Sequence, residues 1–257
     1  MRSRPRIPAV LSRVGREDGG YTLIELLIAT AIGLIVTTSA FMLLEFTTND
    51  VSRITTRVHV TQAGRVALER LMMKLHSTCV APLINPIVTG SSSTTLRFIS
   101  ESGSEPSLAT VRLREVVYTP AAGKSEGTLV EKSWLSTGGN PPEYTFNEKA
   151  TPTTRALLTG VRQTEAIPVF QYYRYYQESD PGAILGELNP NPMTSPLKIK
   201  EAEAVTKVTV SFTLAPEGKE SATFNGDGPV ALEDSAVLRL SPSSSSAGIP
   251  NFPCSQS

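Results

Sequence analysis

The uncharged apolar run from Leu26 to Leu44, entered through a single acid at Glu25, constrains this chain more than any other feature. Its 19 residues would span just under about 30 Å as a helix, close to the thickness of a hydrocarbon core. Arg2, Arg4, Arg6, Arg13 and Arg16 precede the run against Glu17 and Asp18, a net of +3, and Glu45 and Asp50 follow it. This asymmetry predicts a cytoplasmic N-terminus with the remainder of the chain on the far side of the membrane. The formal charge of the 257 residues is zero, so residues 21–257 carry −3. A weakly acidic body offers no general attraction to nucleic acid, which is not expected as a partner.

Glu25 is the costly residue. A carboxylate at the centre of a membrane helix costs about 2.5–3.5 kcal/mol on insertion scales, and near a helix end it can reach the interface. A secretory signal peptide, with Ala29-Thr30-Ala31 as its cleavage site, would have a short, acid-bearing apolar segment and leave most of the run beyond the cut. A plain signal anchor accommodates Glu25 at the headgroups but leaves the Gly20 junction unexplained.

The stretch Gly20-Tyr21-Thr22-Leu23-Ile24-Glu25-Leu26-Leu27-Ile28-Ala29 resembles the prepilin cleavage and methylation motif of type IV pilins and pseudopilins. The resemblance implies cleavage after Gly20 by a prepilin peptidase and N-methylation of Tyr21. It also implies that Glu25 pairs with the new N-terminal ammonium of a neighbouring subunit. Such a charge-assisted pair in a low dielectric would set register during filament assembly. Tyr21 stands where the family usually has Phe, and Met42 where major pilins often have a proline. Gly33, before Thr37-Thr38-Ser39, is the point of weakest helix propensity and the expected start of any local melting.

Beyond the membrane run, Val51, Ile54, Val58, Leu68, Met72 and Leu75 recur at helical spacing, with Thr61 and Arg65 weakening the middle of the stripe. Arg53, Arg57, Arg70 and Lys74 lie off it. Thr78, Pro82 and Pro86 give stop signals, so one helix is expected from about Thr22 to His76. Period-two patterning then predicts strands at Thr94–Ser100, Val111–Thr119, Thr128–Leu135, Val169–Tyr176, Val205–Leu214 and Ala236–Leu240. A loop is expected from Ser136 to Thr154, and an irregular connection from Asp180 to Pro196. The expected fold is α+β and pilin-like, a long helix packed on an antiparallel sheet. Its segments are a leader at 1–20, a membrane or filament-core helix at 21–44, an amphipathic helix at 45–78, a β-rich domain at 79–240 and a Ser/Pro-rich tail at 241–257. Arg155–Val161, Phe170–Tyr173 and Val205–Val210 are strand-like pieces whose layout is similar to PilW-like and J-type minor subunits.

No constellation for catalysis, cofactor or metal emerges. His59 and His76 are 17 residues apart on the helix, and His76 with Cys79 supplies two ligands where a site needs more. Asn225-Gly-Asp-Gly-Pro229 has the composition of a turn, and Tyr172-Tyr173-Arg174-Tyr175-Tyr176 that of a strand with tyrosines on both faces. Cys79 and Cys254 could form one bridge if the domain is extracytoplasmic, or remain two thiols. The resemblance implies a structural subunit, not an enzyme, of a type IV pilus or type II secretion pseudopilus. Its partners would be the prepilin peptidase, other pilin or pseudopilin subunits, an inner-membrane assembly platform and, before assembly, the lipid bilayer. A competence-type DNA-uptake pilin and a plain membrane-anchored domain or enzyme are the competing expectations.

Overall fold

The computed structural model describes residues 20–79, 86–102, 110–122, 126–138, 144–163, 167–182, 184, 186–214 and 230–238. The chain divides into two units, residues 1–53 and 54–257. A 54-residue helix, α1 (Leu23–His76), begins in the first and ends in the second.

Residues 23–44 of α1 are apolar around most of the helix, and those side chains are exposed throughout. No proline interrupts them. The hydroxyls of Thr37, Thr38 and Ser39 donate to the carbonyls of Gly33, Leu34 and Ile35 at 2.6, 2.7 and 2.9 Å. Thr30, Thr47 and Thr48 bond back in the same way. Polar side chains thus sit in an apolar helix without an unmet donor.

In the second unit, the end of α1 packs on an antiparallel sheet of order β1-β2-β3-β5-β7-β6, with β4 beside β3 and β8 beside β7. The strands are β1 (Thr95–Ser102), β2 (Thr110–Pro120), β3 (Gly127–Gly138), β4 (Thr145–Phe146), β5 (Thr153–Arg162), β6 (Phe170–Tyr173), β7 (Lys207–Leu214) and β8 (Val230–Val237). A short helix, α2 (Ile199–Glu203), precedes β7. The core joins Leu68, Leu71, Met72 and Leu75 of α1 to inward residues of the sheet, among them Phe98, Val116, Leu129, Val208 and Phe212. Burying each such side chain contributes roughly 1.5–3 kcal/mol. The expected inward set of β7, Val208, Val210, Phe212 and Leu214, is buried.

Several expectations need correction. Val51, Ile54 and Val58 are exposed, whereas Gly64, absent from the expected stripe, is buried. A Cβ on Gly64 would come within 2.4 Å of Leu214 Cδ1 and 2.5 Å of Leu232 Cδ1. The helix approaches the β7–β8 pair at Gly64, where no side chain intervenes. Lys74, placed off the stripe, reaches the sheet instead and donates to Glu131. The expected loop from Ser136 to Thr154 contains the end of β3, all of β4 and the start of β5. The tyrosine strand ends at Tyr173, where Arg174 turns to bond Asp180 at 2.8 Å. The last strand begins at Val230, before the expected Ala236. The NGDGP turn, Cys254 and residues 239–257 lie outside the described residues.

Candidate processing and assembly site

Gly20 and Tyr21 are exposed and precede the first helical turn; Tyr21 is 84% accessible. Thr22 starts the helix. Its carbonyl accepts from the N–H groups of Glu25 at 3.0 Å and Leu26 at 3.2 Å, and its hydroxyl oxygen accepts from the Glu25 N–H at 3.3 Å. This is N-capping, in which a side-chain oxygen satisfies one of the donors left open at a helix start. The signal was present in the sequence as Thr-Leu-Ile-Glu, the S/T-x-x-E pattern of a capping box, and the expectations above did not use it.

Capping fixes where Glu25 stands. It occupies the first turn, where the partial positive charge of the helix end favours a carboxylate. Among the described residues its carboxylate has no hydrogen-bond or ion-pair partner. Leu23, Ile24, Leu26, Leu27 and Ile28 surround it and are each more than half exposed. An acid with open acceptor sites therefore projects from an apolar collar. Chemically this arrangement can accept a cation.

Residues 16–41 match the family model for the prokaryotic N-terminal methylation motif. This end of the chain carries that motif. The match spans the junction at Gly20, the capped turn with Glu25 and most of the apolar run, and it supports the type IV pilin and pseudopilin superfamily. The long apolar helix followed by an antiparallel sheet is consistent with a pilin-like α+β fold. No curated protein and no solved structure matches the chain.

The other sequence candidates fall elsewhere. Cys79 is fully buried against Val111, Ile99, Tyr144 and Phe146, on the side of the sheet away from α1, and is disulfide-bonded. Cys254 lies outside the described residues. His59 and His76 stand on α1, and no group of three or more His, Cys, Asp or Glu with metal-binding geometry occurs among the described residues. Tyr172 is buried, its hydroxyl donating to the carbonyls of Thr95 at 2.8 Å and Ser92 at 3.1 Å. Tyr173 stays at the surface under the Lys207 ammonium, 5.3 Å from its ring. The tyrosines thus divide between core and surface, as their alternation predicts.

One cluster escaped the sequence reading. Glu131, 5% exposed in its side chain, accepts from Lys74 of α1 and from Arg114 of β2 at 2.6 Å. Arg114 Nε also donates to Ser100 of β1 at 2.7 Å. Burial alone would raise the Glu131 carboxyl; the hydrogen bonds and charges of Lys74 and Arg114 together outweigh it and hold the group below its ordinary value. The cluster fastens the last turns of α1 to three strands.

Proposed function

We propose that the chain is a minor pilin or pseudopilin. A prepilin peptidase cuts it after Gly20 and methylates the amine of Tyr21, and the processed chain enters a type IV pilus or type II secretion pseudopilus. The observation that carries this reading is a Glu25 without a partner among the described residues, in the capped first turn of a helix that carries the N-terminal methylation motif and whose apolar surface is exposed on all sides. A helix apolar all round needs lipid or other helices about it. Before assembly that environment is the bilayer, and afterwards it is the packed helices of neighbouring subunits.

Cleavage supplies what Glu25 lacks. It makes an ammonium at Tyr21, and the Glu25 carboxylate of an incoming subunit pairs with that of a subunit already in place. The inner-membrane assembly platform is the expected site of this step. The disulfide at Cys79 supports an extracytoplasmic sheet domain, since such bonds persist in oxidising compartments. Cys254, the only other cysteine of the sequence, is its proposed partner.

Co-expression with a prepilin peptidase followed by N-terminal sequencing tests the processing step. The expected product begins at methylated Tyr21, and a product beginning elsewhere ends the reading. The Glu25→Ala variant should be cut normally yet be lost from sheared filaments. Normal incorporation of that variant would remove the registering role while leaving the processing step intact.

A further inference from the structure

A groove of about 410 Å³ lies between α1 and β5, wholly within the second unit. Along α1 it runs from His59 to Arg70, about 16 Å of helix. Ala63 and Val66 on the helix and Leu157 on β5 give it an apolar floor. Arg70 stands at one end of that stretch, and Arg155 enters it from the strand. His59, Ala63, Val66, Arg70 and Arg155 are all exposed, so the groove is open to solvent. Among the described residues no carboxylate lines it.

Charge does not balance here. Arg155 lies directly opposite Glu131 in the β3–β5 ladder, and residues so paired share a face of the sheet. The two Glu131 oxygens are already taken, one by Lys74 and the other by Arg114. Arg70 stands one turn before Lys74 on α1, which puts two cations on the same side of the helix. Lys74, Arg114, Arg155 and Arg70 thus have one acid among them, and it serves only the first two. Glu69, next to Arg70 in the chain, does not line the groove. Neither the Arg70 nor the Arg155 guanidinium has a hydrogen-bond or ion-pair partner among the described residues. The surplus is local, since residues 21–257 together carry −3.

We infer that this groove binds an acidic peptide of a partner protein, a short stretch in which a carboxylate is flanked by apolar side chains. Those side chains cover Ala63, Val66 and Leu157, and the carboxylate accepts from Arg70 and Arg155. A guanidinium offers a carboxylate two parallel N–H donors, a geometry that lysine does not reproduce. Exposed ion pairs contribute little singly, so the apolar floor supplies most of the affinity and the arginines select the acid. The floor between the cations sets a peptide apart from a polyphosphate, whose charges would meet only carbon there. The net acidity of the body opposes nucleic acid in the same place.

The test titrates the full chain in detergent micelles against a fluorescein-labelled peptide of alternating glutamate and leucine, read by anisotropy over empty micelles. The peptide should bind, and more weakly as salt rises. Replacing its glutamates by glutamine should weaken binding at least about fivefold. The Arg70→Glu/Arg155→Glu double variant should abolish the preference for glutamate, and the Arg70→Lys/Arg155→Lys variant should keep part of it. Both arginines are exposed and without partners, so the thermal midpoint should not move; if charge reversal lowers it, the lysine pair decides. A benzoylphenylalanine photocrosslinker in place of Val66 should join the peptide, and one in place of the exposed Ile184 should not. In cells the Val66 adduct should map to a protein segment with an acid between apolar residues. Equal binding of the glutamate and glutamine peptides, a glutamate preference that survives charge reversal, or cellular adducts to lipid alone would each overturn the inference. None of these readouts requires cleavage at Gly20 or entry into a filament, so the assembly reading stands whatever their outcome.

Discussion

Glu131 shows how a single side chain can fasten the end of a helix to a sheet. It faces inward on β3, between Leu129 and Ser133, at a position where alternation alone predicts an apolar residue. Its charge is tolerated because Lys74 and Arg114 both reach it. Its folded-state acidity lies below the ordinary value of 4.5. The stability it contributes is therefore complete above that ordinary value and is lost as pH falls through the depressed folded value. The Glu131→Gln variant should be less stable at neutral pH by about 3 kcal/mol, because two cations lose their counter-charge. Its denaturation midpoint should also vary less with pH below 4.5 than that of the parent. Urea titrations at several pH values check both. Gly64 makes a second prediction at this scale. Alanine would press on Leu214, which is fully buried, and on Leu232 at their terminal methyls, so both must shift, and its helix propensity offsets about 1 kcal/mol of that crowding. Gly64→Ala should therefore stay within roughly 1 kcal/mol of the parent, whereas Gly64→Val should lose about 1–3 kcal/mol.

Among the elements, α1 was the most legible. Its length and end followed from an unbroken apolar run, a helical stripe and the stop signals after His76. Its start could have been placed more firmly, because Thr22 and Glu25 already carry the capping pattern. Thr22→Ala should cost about 1 kcal/mol of local helix stability, seen as faster amide exchange at Leu23–Leu26 in micelles, with Leu27 onward unchanged. β7 was also clear, since its alternation is strict. β5 was not. Its sequence, TTRALLTGVR, puts two leucines side by side, and its pairing with β3 slips at Leu157 and Gly160. Each bulge shifts the period-two pattern by one residue, so a real strand loses the signal by which strands are found. Lys74 and Glu131 were missed for a related reason. Charged residues are assigned to solvent by default, and a mutual pairing across 57 positions of sequence leaves no local mark.

At the scale of the whole molecule, the N-terminal methylation motif was legible in the sequence, while the sheet domain was written only in outline. Motif residues sit next to one another in the chain, but sheet order depends on which distant segments meet. The disulfide at Cys79 adds a constraint of that distant kind. With Cys254 as its partner it would close a loop long enough to contribute up to about 5 kcal/mol in the chain-entropy model. Thermal unfolding of the intact chain should then shift to lower temperature on reduction, and Cys254→Ser should show the same lowered midpoint with no further response to reductant. A Cys254→Ser protein as stable as the oxidised parent would remove the proposed pairing.

The hydroxyls of Thr30, Thr37, Thr38 and Ser39 each spend their proton on a carbonyl of their own helix. Consequently the apolar half of α1 owes nothing to whatever surrounds it. Moving it from acyl chains to a sheath of neighbouring helices exchanges one apolar contact for another and breaks no hydrogen bond. Only the carboxylate at its mouth distinguishes the two surroundings. The direction of travel, outward into a fibre or back into the bilayer, would then hang on a single ionic contact, and the rest of the helix would move either way at little thermodynamic cost.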